Sequence, residues 1–216
     1  MNRKAFACVL LVFVFALVAA GAQAQSKKLS LDMYLDWETV EDPRISPDGA
    51  QIIFTRRWVD KMNDRFESAL WIMNADGTKQ RLLTKGSTAR WSPDGTRIAY
   101  LAEGEPKGSQ IYMRYMDAEG ATTQVTRVEK TPGALSWSPD GQTIGFSMLV
   151  PQKETWNIHL PARPDGARWT RDPRIVEHFV FRLDQQGFLE EGFRHIFVVP
   201  ATGGTPRQLN AWGRAS

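Results

Sequence analysis

Three kinds of side chain in this sequence have the charge or spacing to do chemistry. Glu190 and Glu191 are adjacent carboxylates, a pair that would suit an ammonium group. Residues 189–193 around them read as an exposed hairpin tip, so a solvated turn is the favoured reading. Arg182 could meet a carbonyl or carboxylate through its guanidinium. His159, His178 and His195 fall in expected strands or at strand edges, and none has a serine and an aspartate placed to complete a catalytic set. They read as structural histidines. No Gly-x-Ser-x-Gly nucleophile elbow and no phosphate-cradling glycine loop occurs. The expectation is therefore no catalytic residue, no metal ligand set and no cofactor in this sequence.

The elements that must position these residues are announced by a repeat. Ser46-Pro47-Asp48-Gly49, Ser92-Pro93-Asp94-Gly95 and Ser138-Pro139-Asp140-Gly141 recur with a period of 46 residues. Proline presets φ for the second position of a turn, aspartate bonds nearby backbone, and glycine takes a positive φ at no steric cost. The aspartates have no convergent second set of ligands, so they are assigned to turn hydrogen bonds. Ile45, Trp91 and Trp137 precede the motif. Ile52, Ile98 and Ile144 follow it, with Phe54, Tyr100 and Phe146 two places on. A second turn closes each unit, at Asn74-Ala75-Asp76-Gly77, Asp117-Ala118-Glu119-Gly120 and Ala201-Thr202-Gly203-Gly204. Two hairpins per unit make four strands, and a period near this length marks a propeller blade. The expected fold is all-β: a β-propeller segment of about three four-stranded blades in an incomplete ring, after a short helical lead-in.

Charge and composition exclude some functions. The net charge is +3 and the chain has eight tryptophans, which suits blades packed on both faces. No basic stripe interleaved with aromatics appears, so no nucleic-acid partner is expected. Residues 1–24 read as a signal peptide: Arg3 and Lys4 begin it, an apolar run follows, and Ala22-Gln23-Ala24 fits the cleavage rule. The run is shorter than the roughly 20 residues a span needs, so no stable membrane span is expected after cleavage behind Ala24. Cys8, the only cysteine, lies within it. The chain is expected to be exported, periplasmic or extracellular.

After the signal peptide, residues 25–44 form the lead-in, with Ser30 capping a short helix over 31–40 that Pro43 ends. The propeller segment takes 45–210, with blades at about 45–84, 89–126 and 134–210, and 211–216 is a tail. The third blade carries an insertion at about 151–187. Insertions in repeat proteins map to loops on one face, often the binding face, though a hairpin covering the blade edge fits too. Three blades cannot close a ring, so the sequence is expected to be part of a longer protein, or to complete a ring with other chains.

The repeat resembles the propeller unit shared by the TolB protein and the prolyl oligopeptidase family of serine peptidases. The opening Leu31-Asp32-Met33-Tyr34-Leu35 with Val40-Glu41-Asp42-Pro43-Arg44-Ile45 is similar to the entry of acylaminoacyl-peptidase-like members into their first blade. The stretch Phe181-Arg182-Leu183-Asp184-Gln185-Gln186-Gly187-Phe188-Leu189, followed by Arg194-His195-Ile196-Phe197-Val198-Val199, resembles their third-blade hairpin. The resemblance implies an N-terminal propeller that caps a C-terminal α/β-hydrolase domain and filters peptide substrates, inactive by itself. It also offers Arg182, Glu190 and Glu191 as substrate contacts, although the neighbours of the glutamate pair do not match the dipeptidyl-peptidase motif. A stand-alone TolB-like scaffold that binds proteins is the alternative.

Overall fold

The computed structural model describes residues 29–117, 119–152, 161–170, 176, 179–184 and 187–210. The signal peptide, part of the insertion and the tail lie outside them. The chain divides into Met1–Trp37 and Glu38–Ser216. In the first unit, Leu31–Asp36 forms a 3-10 helix rather than the longer capped helix expected over 31–40. The Ser30 side chain makes no cap bond, and its carbonyl instead accepts the Met33 N–H at 3.1 Å. Leu31, Tyr34 and Trp37 stand three apart, which suits three residues per turn better than 3.6.

The second unit is all-β, with three four-stranded antiparallel sheets that resemble propeller blades. The first contains β1 (Thr39–Ile45), β2 (Gln51–Asp60), β3 (Arg65–Asn74) and β4 (Arg81–Lys85), in that order. The second contains β5 (Ser87–Trp91), β6 (Arg97–Gly104), β7 (Gly108–Tyr115) and β8 (Thr122–Gln124). The third begins with β9 (Gly133–Trp137) and β10 (Thr143–Pro151). The chain then leaves the sheet for a small hairpin, β11 (Arg182–Leu183) with β12 (Gly187–Phe188), and returns as β13 (Gly192–Pro200) and β14 (Arg207–Gln208). β5 lies beside both β1 and β9, so the first strands of the three sheets are neighbours.

β1 starts at Thr39, inside the stretch read as lead-in, and Pro43 sits within it rather than before it. A bulge makes room: Glu41 faces Thr55 and Arg44 faces Ile53, with Asp42 and Pro43 between. Proline has no N–H to give a ladder, and a bulge asks for none. Asp42 there takes a φ of 51°, and Thr88 and Ala134 take 58° and 50° at the matching irregularities of β5 and β9. These three residues keep the 46-residue spacing. Left-handed backbone at a residue bearing a Cβ costs roughly 1–2 kcal/mol. Its return at the same point of each sheet makes the bulge part of the repeat.

Packing explains the apolar pattern after each motif. Ile98 and Tyr100 of β6 pack with Ile53, Leu70 and Ile72 of the first sheet. Ala99 and Leu101 join Ile111 and Met113 in a second cluster with Ile144, Phe146, Phe197 and Val199 of the third. The middle sheet is thus apolar on both faces, and each fully buried isoleucine or leucine contributes roughly 1.5–3 kcal/mol. Buried Gln110 is satisfied on every side. Its Oε1 accepts from Thr126 Oγ1 and the Val128 N–H, and its Nε2 donates to the Pro106 and Val128 carbonyls. Among the described residues no helix is long and apolar enough to cross a membrane.

Candidate functional site

In each motif the serine does more than begin a turn. Ser92 Oγ donates to Asp94 Oδ1 at 2.5 Å and accepts the Arg97 N–H at 3.0 Å. Ser46 and Ser138 repeat this with Asp48 and Gln51, and with Asp140 and Thr143. The glycines take φ values of 74°, 70° and 65°. The Ser92 hydroxyl and the Thr96 N–H hold the Asp94 carboxyl down at about 2. Asp48 and Asp140 are likewise lowered, chiefly by Ser46 and Ser138 and then by the Ala50 and Gln142 N–H groups.

The motifs also join the sheets. Trp91 Nε1 donates to the Arg44 carbonyl at 3.1 Å, and Trp137 Nε1 to the Arg90 carbonyl at 2.9 Å. Arg97 donates to the Gly141 carbonyl at 3.0 Å and lies over the Trp137 ring. Arg90 Nη1 meets Asp42 Oδ2 at 2.5 Å across the first two sheets.

The excursion between β10 and β13 is the irregular part of the unit. It runs from Pro151 to Gly192, because those two residues still pair, and so extends beyond the expected 187. Arg182 stands in β11, exposed, with its guanidinium 5.8 Å from the Phe188 ring centre, while Phe181 stacks on the same ring at 6.0 Å. Glu190 and Glu191 are not a hairpin tip. They stand where the excursion rejoins the sheet, and the Glu191 carbonyl accepts the Gln152 N–H at 3.0 Å. Lys130 donates to both oxygens of Glu190, at 2.7 and 2.6 Å. An ammonium therefore already fills the Glu190 carboxylate, and a substrate amine would have to displace it. Lys130 carried no sequence signal, because it lies 60 residues away in the link from β8 to β9.

His195 is buried, its Nδ1 2.9 Å from the Asn210 carbonyl and 3.1 Å from Gln208 Nε2. His159 and His178 lie outside the described residues. Among the described residues no group of three or more His, Cys, Asp or Glu could hold a metal ion.

No protein-family profile matches the chain. Over 180 residues it is 24% identical to the uncharacterized peptidase YuxL of Bacillus subtilis (strain 168), a match covering 80% of this chain and 26% of that protein. Over 133 residues it is 29% identical to dipeptidyl-peptidase 5 of Porphyromonas endodontalis, covering 57% of this chain and 18% of that protein. The Pyrococcus horikoshii acylaminoacyl peptidase superposes on it with a TM-score of 0.61 at 15% identity, over 82% of this chain and 25% of that one. An acylaminoacyl peptidase in complex with Z-Gly-Gly-Phe-chloromethyl ketone gives the same TM-score and identity. The chain thus carries a β-propeller-like region similar to part of these peptidases. It spans about a quarter or less of the length of the curated relatives it matches, and the matched stretch takes in none of a catalytic domain.

Proposed function

We propose that this chain is the propeller portion of an exported serine peptidase, a partial ring that caps an α/β-hydrolase domain and limits entry to short peptides. The observation that carries the reading is the match to a peptidase over 80% of the chain. Export rests on residues 1–24, with cleavage after Ala24. The excursion after β10 is the segment proposed to meet substrate. Arg182 would offer its guanidinium to a peptide carbonyl or carboxylate, and Glu190 and Glu191 would receive an amino group if Lys130 gives way.

The test compares the 216-residue chain with the protein extended through a hydrolase domain, on aminoacyl and acyl-aminoacyl chromogenic substrates, with a serine-reactive inhibitor as control. Turnover confined to the extended protein supports the proposal. Inhibitor-sensitive turnover by the pure 216-residue chain overturns it, because activated serine, base and oxyanion site must lie within hydrogen-bonding reach of one another. A coding sequence that closes a ring and carries no hydrolase domain would favour a TolB-like scaffold instead.

A further inference from the structure

Beside the motif turns lies an open cleft of about 460 Å³ whose walls mix polar and apolar surface, with Ile45, Trp91 and Trp137 among the apolar residues. Arg44 and Arg90 are also among its lining residues. They occupy equivalent positions in β1 and β5, one repeat apart, and the third position of the series is Ser136 in β9. Both reach a single carboxylate. Asp42 Oδ1 takes Arg44 through Nε at 2.9 Å and Nη2 at 2.6 Å, while Oδ2 takes Arg90 Nη1 at 2.5 Å. Two cations thus share one anion, and the cluster keeps a positive charge. Arg44 Nη1 and Arg90 Nε and Nη2 have no hydrogen-bond partner among the described residues. Asp42 is itself outside the lining of the cleft.

We propose that this cleft binds a carboxylate that stands next to an apolar side chain, with Arg44 and Arg90 taking the carboxylate and the indole walls taking the side chain. Guanidinium donors match a carboxylate in charge and in fork geometry. Apolar side chains beside a few polar groups are the usual makings of a small-ligand site, and here the Trp91 and Trp137 rings stand beside Arg44 and Arg90. The bulge positions the pair: Asp42 can bridge both arginines because its left-handed backbone turns β1 out of regular register beside β5. The inference does not rest on the peptidase reading. Failure of turnover leaves it standing, and failure of binding leaves the peptidase reading standing.

The experiment titrates the full chain, by calorimetry and tryptophan fluorescence, with N-acetyl-Ala-Phe, its C-terminal amide, and N-acetyl-Phe-Glu-amide. The free acid should bind at least about tenfold more tightly than the Ala-Phe amide, and added salt should weaken it. Binding of the glutamyl amide as tight as that of the acid would assign the carboxylate to an acidic side chain; weak binding would assign it to a peptide C-terminus. Arg44→Gln and Arg90→Gln should each lower affinity by about tenfold. Arg90 also ties two sheets, so Arg44→Gln, with its circular dichroism unchanged, is the decisive variant. Equal affinity for acid and amide, or wild-type affinity in Arg44→Gln, would overturn the proposal.

Discussion

Trp137 gives its indole N–H to the Arg90 carbonyl, 47 residues earlier and one sheet back, and Trp91 makes the same bond to Arg44. Each tryptophan is therefore a rivet from one sheet into the bulged first strand of the sheet before it. Trp137→Phe keeps most of the packing and deletes the bond. In urea titrations it should lower stability by about 1–2 kcal/mol, the cost of leaving a carbonyl partly buried and unpaired. An unchanged midpoint would mean that the bond contributes nothing.

Acid should loosen the motif turns in a defined window. The Asp94 carboxyl titrates at about 2 in the folded chain against an ordinary 3.8, so its folded value is depressed. Its contribution to stability is then complete above 3.8 and lost as pH falls through about 2. Asp48 and Asp140 act in the same direction. Ser92→Ala removes the largest cause, and the Asp94 titration, followed by carboxyl NMR, should move upward. No movement would show that the hydroxyl does not hold the carboxylate.

Gln110→Ala should be among the most damaging single changes. It strips partners from Thr126 Oγ1, the Val128 N–H and the Pro106 carbonyl in a buried place, at a cost of roughly 2–4 kcal/mol. Chemical denaturation measures it. A loss below about 1 kcal/mol would mean that water replaces the amide.

Gly49→Ala and Gly141→Ala separate two demands on the motif glycine. Both sites have positive φ, so both variants bear the strain of a left-handed alanine, about 1 kcal/mol or more. A methyl at Gly49 meets nothing within 4 Å, whereas at Gly141 it would stand 3.2 Å from Arg97 Nη2. Gly141→Ala should therefore lower the melting temperature further. Equal losses would show that Arg97 yields freely.

Lys130→Met frees the Glu190 carboxylate. The pair is partly exposed, so global stability should fall by less than about 1 kcal/mol. Limited proteolysis should nonetheless cut faster between residues 152 and 191. An unchanged cleavage rate would remove Lys130 as a tether.

The sheets were legible because Ile98 and Tyr100, with their counterparts, announce strands at a fixed distance from a turn whose chemistry is local. The bulge was not legible, since Asp42, Thr88 and Ala134 share no side-chain property and only the backbone repeats. The rivets were hidden for a related reason. Trp91 and Trp137 could be seen as apolar, but their N–H groups bind carbonyls, which every residue has. Around the excursion the limit was distance: the partner of Glu190 comes from another link of the chain, and adjacency suggested a shared ammonium where the structure has an ion pair.

The left-handed bulge at 42, 88 and 134 also bears on how such a chain can change in length. Rivet, bulge and motif keep one phase, so adding or removing a whole unit would present every joint with its proper mate. Losing a single residue from a first strand would put all three out of step at once. Inheritance by duplication of entire units is thus the route that this backbone tolerates, and length drift should collect where the phase is not read, in the excursion after β10 and in the hairpin tips.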